Sequence, residues 1–403
     1  MARCTTWLVF LWLGSVGAGT LGAEPGAAPR KASEGRAAFH DGRKQPLEYV
    51  GPGREQAEPT DLEEVRIGYF GPDDPGHAEF GDLWSAARVA IDEANRQGGY
   101  RGKPFRLVAR WSDNPWTGGA AQATRLVYGD GVWAIVGGVD GATTHLAEQI
   151  AAKARLAIVS PASTDRTANS AFVPWMFSCL PGDDVLAPLL VERLAAIQAQ
   201  DAFVILAADD HDARVFLSQL TAALRKRSFA PRRRFVFAGA TDSAPLAQQT
   251  ARENPRAVVV LAPAEAGARL TIQLREAGYG GPILAGPWMG RRRFMELAAG
   301  AGGDLVFPLL YAPGEPPTPF AAEFRRRVGK PPDYAAAAAH DAVALVVAAV
   351  RRAGLNRAKI ADAIRALAPW EGECGPIRWD ALGGNLRSVS LGALRNGSIA
   401  PLP

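Results

Sequence analysis

A strand–helix–strand pattern over Val132–Thr164 constrains the fold more than any other part of this chain. The apolar run Trp133–Val136 predicts a buried strand, because it is too short for a helix. Gly137-Gly138 ends that run, and apolar residues at helical spacing follow from Leu146. Ala157–Val159 predicts the second strand. Two short buried strands joined by one helix predict a parallel βαβ unit with a right-handed crossover.

Two loops of this βαβ unit are the predicted ligand-binding loops. Both follow the carboxyl ends of strands, where open parallel sheets bind their ligands. Loops 139–144 and 161–164 contain mainly small and hydroxyl residues, and Thr143 and Thr144 stand at the expected N-cap of the helix. Backbone N–H groups near a helix N-terminus suit a carboxylate or another polar ligand head. A purely structural role of these turn and cap residues stays open at this point.

The βαβ unit lies within a longer alternation of strands and helices. Before it, Val65–Phe70 and Phe105–Trp111 predict strands, each followed by a helical segment. After residue 180 the alternation starts again, with a strand over Ala202–Ala207. This order predicts an α/β fold with two doubly wound parallel sheets and a ligand cleft between them. Two late strands, Pro376–Trp379 and Val389–Leu394, are expected to form a hairpin.

Residues 1–23 have the composition of a secretory signal peptide. Arg3 precedes the apolar stretch Trp7–Leu13, which is too short to span a bilayer, and small residues lead to a cleavage site near Ala23. We therefore expect export of a soluble chain into the periplasm. A flexible leader is expected over residues 24–64, because this segment is rich in Pro, Gly, Ala and charged residues.

Charge and cysteine content narrow the classes of partner. The formal net charge is +4, and arginines form three short clusters, at 232–234, 291–293 and 325–327. No nucleic-acid-binding motif accompanies them, so we expect these arginine clusters to lie on solvated faces, and we expect no nucleic-acid partner. Signal-peptide removal leaves Cys179 and Cys374. A disulfide between them and two buried free thiols are both open.

Sequence motifs of catalysis are absent from this chain. It contains neither G-x-S-x-G nor H-E-x-x-H, and no cysteine has the surroundings of a nucleophile. We therefore expect a binding protein without a cofactor rather than an enzyme.

One acidic cluster offers a metal-binding alternative. Asp209–Asp212 follows a predicted strand, and Asp73, Asp74 and His77 lie in the first loop. Carboxylates and imidazoles such as that of His211 are ligands for hard or borderline metal ions. Consecutive residues rarely converge on one ion, so we expect polar contacts to an organic ligand here and no metal site.

Several motifs occur in the order and spacing of one known family. They are IGYFGP, EFGDLWSAARVAIDEAN, the DNP loop, AIVGGVDGATTHLAEQIAAKARLAIVSPAST, VILAADD and GPIRWD. From Val65 to the C-terminus the chain resembles the type I periplasmic solute-binding proteins, and among them the branched-chain amino-acid-binding receptors. The resemblance implies two lobes, joined by three hinge crossings, which close around a small ligand. It also implies an inner-membrane ABC permease as the partner, and we expect a monomer.

On this resemblance the chain divides between the two lobes. The first lobe is expected to comprise residues 65–180 and 309–372. The second lobe is expected to comprise residues 181–308 and 373–403, of which the last part supplies its C-terminal strands.

The resemblance also assigns the ligand-binding residues. The cradle for a ligand carboxylate falls at Gly141, Thr144, Ala162 and Thr164, and the aromatic residue of the first loop falls at Phe80. The full expected set is Phe80, Asp113, Gly141, Ala142, Thr143, Thr144, Ala162, Ser163, Thr164, His211 and Trp288.

Two positions of the second lobe depart from the family pattern. His211 stands in place of a tyrosine, and Trp288 stands in place of the acid that meets the ligand ammonium. An aromatic face still attracts a cation, but the carboxylate partner is lost. We therefore expect a small carboxylate- or amide-bearing ligand with an apolar or aromatic part, rather than a standard branched-chain amino acid. The expected role is the receptor of an ABC importer, and a sensing module that reports to a signalling partner is the alternative.

Overall fold

The computed structural model of this protein describes residues 53–170, 172–238, 243–395 and 398–402. The predicted signal peptide and residues 24–52 of the predicted leader lie outside this part of the chain. Residues 53–64 run along the fold. The side chain of Asn356 donates to the carbonyl of Gly53 at 2.8 Å, and the hydroxyl of Tyr100 donates to Glu58 at 2.7 Å. The last residues of the predicted leader are therefore held by the fold.

Five parallel strands form the first sheet, in the order β2-β1-β3-β4-β5. They are β1 (Val65–Phe70), β2 (Phe105–Arg110), β3 (Ile135–Gly137), β4 (Ile158–Ser160) and β5 (Met176–Ser178). The helices that follow these strands are α1 (Gly81–Arg96), α2 (Ala120–Thr124) and α3 (Gly141–Ala154). Turns of π-helix at Pro115–Gly119 and Arg125–Gly129 extend α2 at both ends. The pairing of β3 with β4 through α3 confirms the predicted parallel βαβ unit.

Seven strands form the second sheet, in the order β14-β13-β10-β9-β8-β6-β7. The strands from here to the C-terminus are β6 (Phe203–Ala208), β7 (Arg233–Phe237), β8 (Ala257–Leu261), β9 (Ile283–Ala285), β10 (Leu305–Leu309), β11 (Trp370–Gly372), β12 (Gly375–Ile377), β13 (Ser390–Arg395) and β14 (Ser398–Pro401). The helices around this sheet are α4 (Asp183–Ala196), α5 (His211–Lys226), α6 (Ala244–Glu253), α7 (Ala264–Glu276) and α8 (Arg292–Ala298). Every residue of β6 and β8 is buried, as expected for a parallel sheet that is covered on both faces.

The chain then returns to the first sheet. The remaining helices are α9 (Pro319–Val328), α10 (Tyr334–Ala353) and α11 (Arg357–Ala366). Both α9 and α10 pack against α1, and α11 packs against α10. The chain therefore passes between the sheets after β5, after β10 and after β12. This arrangement confirms the predicted α/β fold of two doubly wound parallel sheets with three crossings, and β13 and β14 add an antiparallel edge to the second sheet.

The predicted hairpin of the two late strands is wrong. Strand β12 pairs with β11, whereas β13 pairs with β10 and β14. The reason is the turn between β11 and β12. The buried carboxylate of Asp341 accepts the N–H groups of Glu373 at 2.7 Å and Cys374 at 2.9 Å, which holds this turn on α10.

Two buried features have simple structural roles. Among the described helices, α10 is long and apolar enough to span a membrane, but most of it is buried inside the fold. A disulfide and two buried free thiols were the alternatives for Cys179 and Cys374, and the structure has two buried free thiols. Burial raises the pKa of Cys374 to about 12, and its thiol lies 3.4 Å from the carbonyl of Leu310.

Candidate functional site

A cavity of about 340 Å³ lies between the carboxyl ends of the two sheets. Its first wall consists of the loops after β3 and β4 and the start of α3 (residues 138–144 and 162–165). Its second wall consists of the start of α5 and the turn that leads into α8 (residues 210–214 and 288–292). Larger hollows of about 680 and 700 Å³ lie on the outer faces of α11 and β2, away from the strand ends. The position at the carboxyl ends of parallel strands favours the inter-sheet cavity as the binding site.

The first wall is built by a capping box at the start of α3. Thr143 donates its N–H to Asp140 at 2.8 Å, and Asp140 donates its N–H to the hydroxyl of Thr143 at 3.3 Å. The N-cap is therefore Asp140, and its prediction at Thr143 or Thr144 is wrong, because the backbone is still extended at Asp140 and helical from Gly141 onward. Gly138, at a φ of 72°, lets the loop fold back against the helix.

The hydroxyl groups of the first wall are used within the wall itself. Thr144 donates to the carbonyl of Asp140 at 2.6 Å, and the hydroxyls of Thr144 and Ser160 lie 3.1 Å apart. Ser163 accepts the N–H of Asp165 at 3.1 Å, and the carbonyl of Thr164 accepts the N–H of Asp183 at 2.8 Å. These groups fix the shape of the wall rather than face the cavity.

The structure places the expected ligand-binding residues in four groups. Five of them line the cavity: Phe80, Ala142, Ala162, His211 and Trp288. Gly141 stands at its edge, while Thr143 and Thr144 are buried beneath it. Ser163 and Thr164 border a smaller hollow behind the first wall. Asp113 is exposed on its loop, where it accepts the indole N–H of Trp111 at 2.9 Å.

A carboxylate of the protein already occupies the predicted carboxylate-binding position. Gly141 donates its N–H to the two carboxylate oxygens of Asp212, at 2.9 and 3.2 Å. Asp212 comes from the second wall, so this contact joins the two walls. Burial and the neighbouring carboxylates of Asp140 and Asp210 raise the pKa of Asp212 well above its usual range. Asp212 lies 71 residues from Gly141 in sequence, and no local pattern predicts that contact.

Aromatic rings surround the rest of the cavity. Phe80, Trp116 and Tyr334 belong to segments around the first sheet, and Trp288 belongs to the second wall. Trp288 packs against Phe216 with ring centroids 5.7 Å apart, which holds its ring in place. Trp116 is 63% exposed, and such an exposed indole at the rim is free to contact a ligand.

Two arginines of the second wall reach across to the first sheet's helices. Arg291 forms a buried ion pair with Asp333 at 2.9 Å and also donates to the carbonyl of Glu79. Arg292 binds the carboxylate of Asp82 on α1, with one N–O distance of 2.6 Å. The prediction that arginines 291–293 form a cluster on a solvated face is therefore wrong for Arg291 and Arg292, because each pairs with a carboxylate more than 40 residues away in sequence.

Two histidines converge on one buried aspartate beside the cavity. Nε2 of His145 lies 2.9 Å and Nε2 of His211 lies 2.8 Å from the same oxygen of Asp165. Burial opposes ionisation of Asp165, but hydrogen bonds from both imidazoles outweigh it and hold the pKa of Asp165 far below its usual range. The hydrogen bond to Asp165 in turn raises the pKa of His145. His145 and Asp165 are absent from the residues expected from sequence, because nothing local marks their approach to His211.

The acidic residues of the first loop and of the α5 loop form no common cluster. Nδ1 of His77 accepts the N–H of Phe80 at 3.1 Å, and Asp209 pairs with Arg214 at 2.8 Å on the surface. Within the described ranges, the one group of three residues with metal-ligating atoms close together is His145, Asp165 and His211. Of these three residues, only His211 belongs to the acidic cluster that the sequence suggests as a metal site.

Comparisons with known proteins agree with this architecture. A family model described as periplasmic binding protein matches residues 64–389. A leucine-binding protein from Thermotoga maritima has 24% identity and a TM-score of 0.75, and the match covers 84% of this chain and 98% of that one. An ABC transporter substrate-binding protein from Desulfitobacterium hafniense, solved in complex with Leu, has 26% identity and a TM-score of 0.68, over 84% of this chain and 100% of the other.

The match to a curated relative is shorter. An amino acid binding protein of Pseudomonas aeruginosa is 27% identical over 152 residues. This alignment spans 35% of the present chain and 41% of the relative, which is less than half of either protein.

Proposed function

Because this chain belongs to the family of periplasmic binding proteins, we propose that it is the solute receptor of an ABC importer. In this proposal the chain is exported by its signal peptide and works as a monomer. The parts built on the first and second sheets are two lobes, which close around a small organic ligand. An inner-membrane permease then recognises the closed form. Contacts that join the two walls support closure as the working motion, since each depends on both lobes.

The ligand that we propose is a small amide- or amine-bearing molecule with an aromatic or apolar body. The sequence leaves carboxylate and amide ligands as alternatives. The observation that favours the amide is the bond from the Gly141 N–H to the carboxylate of Asp212. A ligand carboxylate would have to displace Asp212 from that N–H.

Electrostatics support the same choice. Asp140, Asp210 and Asp212 all line the cavity, and burial raises the pKa of Asp210 as well as that of Asp212. The two arginines of the lining, Arg214 and Arg291, are already paired with Asp209 and Asp333. Another negative charge in this place would add to the repulsion, whereas an N–H donor would gain acceptors. The rings of Phe80 and Trp288 offer contacts to an apolar or planar part of the ligand.

Matched ligand pairs test this proposal by isothermal titration. Benzamide is compared with benzoate, and leucine amide with leucine, because each pair differs mainly in the carboxylate. We expect the amide of at least one pair to bind about tenfold more tightly than its acid, a difference of about 1.4 kcal/mol. Equal or tighter binding of the acids would refute the amide assignment.

The variant Asp212→Asn identifies the cause of that preference. It removes the charge of Asp212, keeps its shape and weakens its hydrogen bond with the Gly141 N–H. The acids are therefore expected to bind more tightly, and the difference in affinity between the amide and the acid of each pair is expected to shrink. Asp201→Asn is the matched control, because Asp201 is exposed and precedes the amino end of β6, away from the cavity at the carboxyl ends of the strands. Uptake of the tight ligand by permease-containing vesicles, dependent on added receptor, tests the importer role, and binding without such uptake would favour a sensing role.

A further inference from the structure

The His145–Asp165–His211 cluster has the composition and geometry of a transition-metal site. We propose that these three residues bind one divalent ion between the two lobes, and that Zn²⁺ is the preferred ion. Two imidazoles and one carboxylate are a common protein ligand set for Zn²⁺, with a fourth position left to water or another small ligand. The three ligating atoms lie within 4.8 Å of one another.

The spacing of the cluster suits an ion after a small movement. Each Nε2 lies 2.8 to 2.9 Å from the carboxylate oxygen of Asp165. Tetrahedral Zn²⁺, with bonds of about 2.0–2.1 Å, holds its ligand atoms about 3.3 Å apart. The two N–O distances therefore need to lengthen by about 0.4–0.5 Å, and the two Nε2 atoms, which lie within 4.8 Å of each other, need to settle at about the same 3.3 Å separation.

The other oxygen of Asp165 is fixed by the protein. It accepts the N–H of Thr167 at 2.7 Å and the hydroxyl of Thr167 at 2.7 Å. The side chain of Asp165 is only 1% exposed. One carboxylate oxygen is thus anchored while the other points at both imidazoles, which is the arrangement of a monodentate metal ligand with a supporting shell.

A second, independent observation comes from Glu148. Its side chain is 8% exposed, and its Oε2 lies 3.7 Å from Nδ1 of His145. Its Oε1 is buried and has no hydrogen-bond partner among the described residues. A metal-bound histidine ordinarily directs its second nitrogen to a carboxylate. When Nε2 of His145 binds the ion, its proton moves to Nδ1, where the carboxylate of Glu148 faces it.

The ligands come from both sides of the cleft. His145 and Asp165 belong to α3 and to the loop after β4, whereas His211 is the first residue of α5. An ion bound by all three residues therefore requires the closed arrangement of the walls. We expect Zn²⁺ to favour closure and to raise the thermal stability of the protein by mass action.

Zinc titration of the untagged, chelator-treated protein tests the site. We expect one Zn²⁺ per chain with a Kd below about 1 µM, an increase in melting temperature, and a smaller radius of gyration in solution scattering. In His211→Gln the affinity should fall at least thirtyfold and the compaction should disappear. In Glu148→Gln the affinity should fall about 10- to 100-fold, the range found when a residue that orients a metal-bound histidine is replaced.

His77→Gln is the control, since His77 belongs to the acidic cluster that the sequence suggests and the structure separates. It should bind Zn²⁺ like the wild type. Circular dichroism of each variant excludes misfolding, and His145→Gln provides a second test from the first lobe. A wild-type Kd weaker than about 100 µM would overturn the proposal. Binding that survives both His145→Gln and His211→Gln, or that His77→Gln abolishes, would overturn it as well.

Discussion

The two walls of the cleft satisfy their polar groups in different ways. In the first wall the partners are local: Asp140, Thr143 and Thr144 bond with one another at the start of α3. In the second wall the partners are distant: Asp212 and Arg292 find theirs on the opposite side of the cleft. In the proposed mechanism, a locally satisfied wall is formed before a ligand arrives, whereas a wall that depends on cross-cleft partners acquires them on closure.

This difference separates the effects expected from mutation. Changes inside the first wall should reduce the free energy of unfolding, because they remove contacts that every state of the protein keeps. Changes to Gly141 and Arg292 should mainly reduce ligand affinity, because their cross-cleft contacts are absent from the proposed open form. The buried Arg291–Asp333 pair is different, since Asp333 also caps α10, and its loss should reduce the free energy of unfolding as well. The following predictions test that separation, from the largest expected effect to the smallest.

Gly138→Ala should have the largest effect on stability. A Cβ at residue 138 would lie 2.5 Å from Cα of Thr144, and the φ of 72° is unfavourable for alanine. Strain and overpacking together should cost about 3–6 kcal/mol of unfolding free energy. Urea denaturation measures this loss. A loss below about 1 kcal/mol would mean that the first wall rearranges easily and is not preformed.

Asp333→Ala should cost about 3–5 kcal/mol of unfolding free energy, because it leaves the buried guanidinium of Arg291 without its partner. It also removes the N-cap of α10, where Asp333 accepts the N–H groups of Ala335 and Ala336 at 3.0 and 2.9 Å. Asp333→Asn keeps the cap in part and should cost less. Denaturation of both variants separates the cap from the ion pair.

The pH dependence of Asp333→Asn checks the charge itself. Burial alone would raise the pKa of Asp333, but Arg291 and three backbone N–H donors outweigh it and lower that pKa. A lowered folded-state pKa means that the carboxylate stabilises the fold fully above its unfolded pKa, near 4, and loses this effect as the pH falls through the folded value. The wild-type advantage over Asp333→Asn should stay constant from pH 7 to about 4 and shrink below that. An advantage that shrinks already near neutral pH would contradict the ion pair.

The same division explains what the sequence predicted. The strands and helix of the βαβ unit and the glycine turn at 137–138 depend on short-range sequence patterns, and the structure has them as predicted, although the N-cap of α3 lies at Asp140. The contacts of Asp212 with Gly141, of Arg291 with Asp333 and of Asp165 with His211 join residues 42 to 71 positions apart along the chain. Such contacts depend on how the two sheets meet, which periodicity and turn residues do not encode. Arg291 shows this most directly, since the composition of the arginine cluster at 291–293 suggests solvent exposure, whereas Arg291 is buried against Asp333.

Gly141→Ala tests the meeting point of the walls. A Cβ there would lie 2.3 Å from the carboxylate of Asp212 and 3.0 Å from the ring of His211, both of which belong to the second wall. The fold should keep its melting temperature within a few degrees, because alanine suits the first turn of a helix. Ligand affinity should fall about tenfold, because closure is obstructed. Gly280→Ala is the control, with nothing within 4 Å of the added Cβ, and it should bind normally.

Arg292→Ala gives the smallest effect and the most direct comparison between neighbours. Arg292 pairs with Asp82 across the cleft, whereas Arg293 pairs with Glu265 on its own side at 3.2 Å. The Arg292 side chain is 22% exposed, so its ion pair should contribute about 1 kcal/mol to closure, or about fivefold in ligand affinity.

Arg293→Ala removes the same charge one residue away and should leave the affinity unchanged, which controls for long-range electrostatics. Isothermal titration of both variants with one ligand makes the comparison. If the two variants lose affinity equally, net charge rather than the cross-cleft contact controls binding. If only Arg292→Ala loses affinity while both unfold at the wild-type denaturant concentration, the second wall acts on closure and not on folding.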